Sequence, residues 1–191
     1  MFLSTEGILL KKTKLSGNGY ILKVFTKEKG VKSFFARKSK KDKAVLQPLS
    51  ILSLETYYRE DKGVNNIKEI SLSKPYLNIY TDMVKTNILI FLNEILDKAI
   101  QEEEENKELY KFLLTKLTQF DQEDLDINFH LSFLIELANY LGFKIDSTKL
   151  GTYFNLEDGD FLKYEPNHPH YLSNEKLNLL WRFIQNKKDR I

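Results

Sequence analysis

Five cations and one acid crowd into Arg37-Lys38-Ser39-Lys40-Lys41-Asp42-Lys43. Guanidinium and ammonium groups at that density can neutralise the fixed charges of a polyanion. On nucleic acid, each neutralised phosphate releases condensed counterions. The cluster belongs to a wider imbalance: residues 1–80 carry 16 Lys and Arg against 7 Asp and Glu, whereas residues 81–191 carry 13 against 20. The formal net charge of +2 is therefore the sum of one half at +9 and another at −7. A basic half attracts polyanions, and nucleic acid is the commonest partner of that kind.

Further cations sit where strands and turns are expected: Lys11, Lys12, Lys14, Lys23, Lys27, Lys29 and Lys32. Together with Arg37, Lys38, Lys40, Lys41 and Lys43 they are candidates for contacting phosphates without reading base sequence. Tyr20, Phe34, Phe35, Tyr57, Tyr58 and Tyr80 are candidates for stacking on bases, although strand parity turns about half of them into a core. Other chemistry finds little support. There is no cysteine, which excludes disulfides, thiolate metal sites and cysteine nucleophiles. His168-Pro169-His170 with Glu165 is a poor match to tetrahedral zinc spacing. Asp158-Gly159-Asp160 lacks the run of oxygen ligands that a calcium loop needs. No Ser-His-Asp spacing, phosphate loop or dinucleotide fingerprint occurs, so a binding protein without cofactors or metal is expected rather than an enzyme.

The elements that must position these residues fall into two groups. Ser4–Leu15, Tyr20–Lys27, Val31–Arg37, Leu49–Arg59 and about 64–73 read as five strands. Asn18-Gly19, Glu28-Lys29-Gly30 and Asp61-Lys62-Gly63 supply turns, and Asn-Gly is a strong hairpin signal. In the second strand Ile21, Lys23, Phe25 and Lys27 alternate with Tyr20, Leu22, Val24 and Thr26. In the fourth, Leu52, Leu54, Thr56 and Tyr58 share a face. Five strands with short connections suggest a small closed barrel of the OB-fold type. The cationic cluster is then the connection between its third and fourth strands.

Helical spacing takes over after Lys74-Pro75. Asp82–Ile100 is apolar on most faces, which predicts a central, deeply buried helix. Lys107–Phe120 and Ile127–Leu141 each carry an apolar stripe, with Gly142 suited to the left-handed position that ends a helix. Glu102–Glu105 is an acidic run, expected to be a solvated helix end. Tyr153–Tyr164 reads as two short extended pieces around a turn. Ser173 can cap a last helix striped by Leu177, Leu180, Trp181 and Ile184. The expected organisation is α+β: an OB-fold nucleic-acid-binding domain over residues 1–78 and an α-helical domain over 79–191. The short run Ile8-Leu9-Leu10 is no signal-peptide core and Ile88–Leu92 cannot span a bilayer, so a soluble cytoplasmic protein with no membrane partner is expected.

Four ordered motifs carry a family resemblance: Thr5-Glu6-Gly7-Ile8-Leu9-Leu10-Lys11-Lys12-Thr13, Val24–Gly30, Ala36–Lys41, and Leu46-Gln47-Pro48-Leu49-Ser50. In this order and spacing they resemble the N-terminal domain of the RecO family of DNA repair and recombination mediators. Leu134–Phe143 followed by Tyr153–Gly159 is similar to the helical domain of Bacteroidetes-type members. The resemblance implies an OB-fold followed by helices, and binding of single- and double-stranded DNA near the nucleoid. It also implies annealing of complementary strands and, with RecR, assistance in loading RecA onto DNA coated by single-strand binding protein. Two departures stand out. Many members carry a four-cysteine zinc motif, which this chain lacks. The sequence also reads as ending before the family's last helical segment, which leaves open the partner surfaces built from that segment, including part of the site for the acidic tail of single-strand binding protein. A different class of function remains open on the residues alone: a basic barrel that docks an acidic peptide or an RNA-protein surface. A magnesium-dependent nuclease ranks last, because no carboxylate cluster is evident.

Overall fold

The computed structural model describes residues 2–40, 42–101, 104–143 and 151–188. Lys41, the first two residues of the acidic run (Glu102 and Glu103), the side chain of Ile184 and the terminal Ile191 lie outside the described residues.

Five strands close a barrel: β1 (Phe2–Lys14), β2 (Gly19–Thr26), β3 (Gly30–Arg37), β4 (Ile51–Tyr57) and β5 (Val64–Lys74). A short helix α1 (Asp42–Val45) lies in the cationic connection and carries Lys43. The strand order around the barrel is β1-β2-β3-β5-β4. All neighbours run antiparallel except β3 and β5, whose parallel pairing closes the barrel. This is the expected OB-fold barrel. Alternation explains its filling, since successive side chains on a strand face opposite sides. Leu9, Leu22, Val24, Phe34, Ala36, Leu46, Leu52 and Leu54 form the core. The predicted inner face of β4 is buried throughout, Thr56 and Tyr58 included.

Two departures from simple alternation matter. Phe25 has the parity of an outward residue, yet it is buried, with its ring 5.9 Å from that of Tyr110 in the helical layer. In β1 a bulge between Leu9 and Lys11 shifts the register, as one extra residue in a strand must. Lys11 then pairs with outward Lys23, and Lys12 pairs with inward Leu22 at the mouth of the barrel.

After the barrel come α2 (Met83–Ala99), α3 (Lys107–Gln122) and α4 (Phe129–Tyr140), then β6 (Tyr153–Asn155), β7 (Asp160–Leu162), β8 (Tyr171–Ser173) and α5 (Asn174–Lys188). Asp82 caps α2 by accepting from the amides of Val84 and Lys85, and Asn106 caps α3 through the amide of Leu109; side-chain oxygens commonly satisfy the first free amides of a helix in this way. Gly142 does take the left-handed conformation, with φ 89°. The two extended pieces around Glu157–Asp160 pair as β6 and β7, and β8 adds a third strand that the spacing did not suggest. Glu104 and Glu105 are exposed in the α2–α3 connection.

Packing divides the chain into one compact unit up to His130 and another from Leu131. The expected boundary at residue 78 falls inside the first unit, because helices pack directly on the barrel there. α2 corrects one expectation: it is not buried on most faces. It buries one stripe, Lys85, Leu89, Leu92 and Leu96, while Met83 is 80% exposed and Val84, Ile90 and Phe91 are exposed too. Leucines at helical spacing set the stripe, and the remaining apolar residues fall outside it.

Asp121 holds the turn between barrel and helices. The residue is 4% exposed, and its carboxylate accepts from three successive amides, Leu77, Asn78 and Ile79, each at 2.9 Å. Buried Lys85 donates to the carbonyls of Asp121 (3.3 Å) and Glu123 (2.6 Å). Truncating the acceptor strands buried donors, each costing about 1–3 kcal/mol. Asp121→Ala is therefore expected to lower unfolding stability by about 3 kcal/mol or more, measured by urea denaturation, with Asp121→Asn intermediate because one acceptor oxygen remains.

Candidate nucleic-acid interface

Strand register sorts the candidate cations into three places. Lys14 stands opposite Tyr20 at the end of β1, and Arg37 stands opposite Gly19 at the end of β3. The β1–β2 turn and the start of the cationic connection are stitched together: the Leu15 amide donates to Gly19 O (3.1 Å), and the Lys38 amide to Asn18 O (3.0 Å). These elements enclose an open groove of about 990 Å³, lined by the turn residues 15–19, Phe35 and residues 37–40. None of the described residues lining it is acidic. Lys14, Arg37, Lys38, Lys40 and Lys43 are all exposed. Lys12 turns from the same end into the barrel mouth, where its ammonium donates to Leu46 O (2.8 Å) and lies 5.7 Å from the Tyr20 ring centre.

Lys27 and Lys29 occupy the opposite end, in the β2–β3 turn. From Gly19 to Thr26, β2 alone spans about 23 Å, so these residues do not share the groove. Their end mixes signs: Lys29 pairs with Glu60 at 3.1 Å and lies over the Tyr58 ring at 5.7 Å, and Glu28 accepts from Thr5.

Lys11 and Lys23 form the third place, on the outer face between β1 and β2. Both reach the carboxylate of Asp97 on α2, at 3.1 and 3.0 Å, and Lys23 also donates to the Asp97 carbonyl. One turn earlier, Asn93 donates to Leu10 O at 2.7 Å. A recess of about 640 Å³ beside this clamp combines Lys11, Lys12 and Lys98 with Glu94 and Asp97, so its field is mixed. The two lysines, grouped by sequence with the phosphate contacts, both pair with a helix packed on the barrel, Lys11 with 60% of its side chain still exposed. Asn93 and Asp97, spaced one turn apart, were the only sequence signal of that clamp.

The aromatic candidates also separate. Phe34 and Tyr58 are buried in the core, and Tyr20 is half-buried at the barrel mouth. Tyr80 hydrogen-bonds Pro48 O, and Tyr57 pairs edge-on with exposed Phe2. Phe35 is half-buried, has outward parity, and lines the groove. The turn residues 15–19 were read only as a connection; they prove to be one wall of the groove. In the second unit, His168 faces Glu157 at 3.7 Å while Glu165 accepts from Tyr171. Among the described residues, no group of three or more His, Asp or Glu is placed to hold a metal ion, and no described helix is long and apolar enough to cross a membrane.

A closed OB-fold barrel with one basic end, followed by helices, defines an α+β protein of the kind that carries nucleic-acid sites on barrel loops. Comparison with known proteins specifies which. Residues 1–76 match the family model described as recombination protein O N terminal, and residues 80–191 match recombination protein O C terminal. The chain is 37% identical to the DNA repair protein RecO of Flavobacterium johnsoniae, across 99% of this chain and 82% of that protein. It is 34% identical to that of Flavobacterium psychrophilum across the same shares, and 31% identical to that of Phocaeicola vulgatus across 95% and 80%. The chain belongs to the RecO family of recombination and DNA repair proteins.

The Asp97 clamp has a pH signature. Partial burial alone would raise the Asp97 carboxyl, but hydrogen bonds and charge from Lys23 and Lys11 outweigh it and hold it below the ordinary aspartate value. A carboxyl depressed on folding contributes stability above its unfolded pKa, about 3.9, and loses it as pH falls through the lower folded value. Thermal unfolding of the wild type is expected to lose stability between about pH 4 and 3 more steeply than Asp97→Asn, whose curve lacks this contribution.

Proposed function

We propose that the chain is a DNA-binding mediator of recombinational repair that works by binding rather than by catalysis. The groove at the basic end of the barrel is the observation that carries this reading: exposed Arg37, Lys38 and Lys40 border a 990 Å³ groove with no acid among its described lining residues. Lys12, Lys14 and Lys43 extend the positive field around it. Lys41, although outside the described residues, belongs to the same segment by sequence. Residues 1–78 are the DNA-binding domain in this reading, and 79–191 the helical domain.

The mechanism follows from electrostatics. Two DNA backbones repel each other until cations screen them, and counterion release supplies the affinity. Base pairing then supplies the specificity, so the protein anneals complementary strands without reading them. The family assignment supports the further steps: partnership with RecR and assistance to RecA on DNA coated by single-strand binding protein, at the nucleoid.

Three phosphate contacts on a single strand would contribute about 2 to the slope of log K against log salt, at about 0.7 each. Replacing Arg37, Lys38 and Lys40 together with Glu is expected to remove most single-strand binding and to flatten that slope by about 2. Replacing Lys27 and Lys29 with Glu is expected to change it far less. Fluorescence-anisotropy titrations over a salt series check both. Equal losses from the two variants, or a wild-type slope near zero, would reject the groove as the binding surface.

A further inference from the structure

We infer that Phe35 is a base-stacking site, and that the groove it lines takes an unstacked nucleobase of single-stranded DNA. The inference rests on the proposed function and deepens it, because cations alone bind any polyanion and give no preference for exposed bases.

Three observations place the ring there. Phe35 lies between core residues Phe34 and Ala36 and therefore points outward. An outward phenyl on a barrel strand has no internal reason to be aromatic, yet this one is half-buried rather than exposed. The cause lies at Gly19: a Cβ there would fall 2.4 Å from Phe35 Cε2 and 2.7 Å from Cζ. The ring thus rests across the glycine backbone on β2, beside the turn, and only a residue without a side chain permits that approach. Third, the surroundings suit a nucleotide. The cavity is large enough for one, the floor is aromatic, and Arg37, Lys38 and Lys40 border it where a phosphate backbone would pass. Thr13 and Ile21, aligned with Phe35 across the sheet, carry no charge, so the strip crossing the three strands is uncharged beneath a cationic rim.

Base–aromatic stacking is sequence-tolerant, because every base has a π-face, and typically changes affinity about 5- to 150-fold per base. A duplex keeps its bases stacked internally and cannot present one without unstacking. The subsite would therefore add a preference for single strands to contacts that are otherwise electrostatic.

The test compares two probes on the full chain: a thymidine oligonucleotide of about 12 nucleotides and an abasic oligonucleotide of equal length and charge. Wild type is expected to bind the base-containing strand at least about fivefold more tightly. Phe35→Leu is expected to lose that preference while keeping abasic affinity and its salt slope, and Phe35→Tyr is expected to keep the preference. Circular dichroism and thermal unfolding establish that each variant is folded. Equal wild-type affinity for the two probes overturns the stacking site and leaves the proposed function standing, as does a preference that survives Phe35→Leu. Failure of wild type to bind either probe overturns both.

Discussion

One buried carboxylate sets the relation between barrel and helices. Taking Asp121 out of water is costly unless its charge is met by donors, and the three amides of residues 77–79 meet it. Those amides belong to the segment that leaves the barrel, so satisfying the charge fixes the path of the chain into α2. Lys85 faces the same demand from the other sign. Its ammonium is satisfied by two carbonyls at the end of α3 and lies 5.7 Å from the Phe120 ring centre. A polar network this buried tolerates few alternative arrangements, since any slip leaves donors unpaired.

Anchoring the start of α2 in this way determines what its other end can touch. From Lys85 to Asp97 the helix runs about 18 Å, which delivers Asn93 and Asp97 to the outer face of β1 and β2. There Asp97 pairs with both Lys11 and Lys23 and offsets part of their charge. The consequence is electrostatic as much as mechanical. That face is partly compensated and the β2–β3 end carries Glu28, Glu60 and Asp61 among its cations, whereas Arg37, Lys38 and Lys40 line a groove with no acid among its described lining residues. Screening over about 8 Å at physiological salt keeps these regions electrically distinct across a barrel about 23 Å long.

How far this was legible in the sequence depended on the range of the interaction. Strand alternation is local, so the five strands, the inner face of β4 and the outward parity of Phe35 could be read directly from residues two apart. The β1 bulge was not legible, because Leu9-Leu10-Lys11-Lys12 gives no local sign of where an extra residue is accommodated. Nor was the partial exposure of α2, whose apolar composition resembles that of a helix buried all round until the partner surfaces are known. The basic character of the barrel was plain from counting, yet counting assigned Lys11 and Lys23 the same role as Lys38. Only the three-dimensional position of Asp97, 86 residues from Lys11, shows that Lys11 and Lys23 also pair with a helix, while the Lys11 side chain stays 60% exposed.

The groove shows why charge and shape need different residues there. Exposed lysines on the connection can follow a backbone whose phosphates vary in position, and long side chains lose little by remaining adjustable. Stacking demands the opposite: a ring held in one plane before the base arrives, because ordering it on binding would consume part of the gain. The close approach at Gly19 provides that order, packing Phe35 against β2 while the hydrogen bonds from Leu15 and Lys38 fix the turn beside it. A methyl group at residue 19 would collide with the ring, whereas a change of Lys40 to another cation would alter little. In the proposed site the tightest constraint therefore falls on Gly19, and the loosest on the charges that first reveal it.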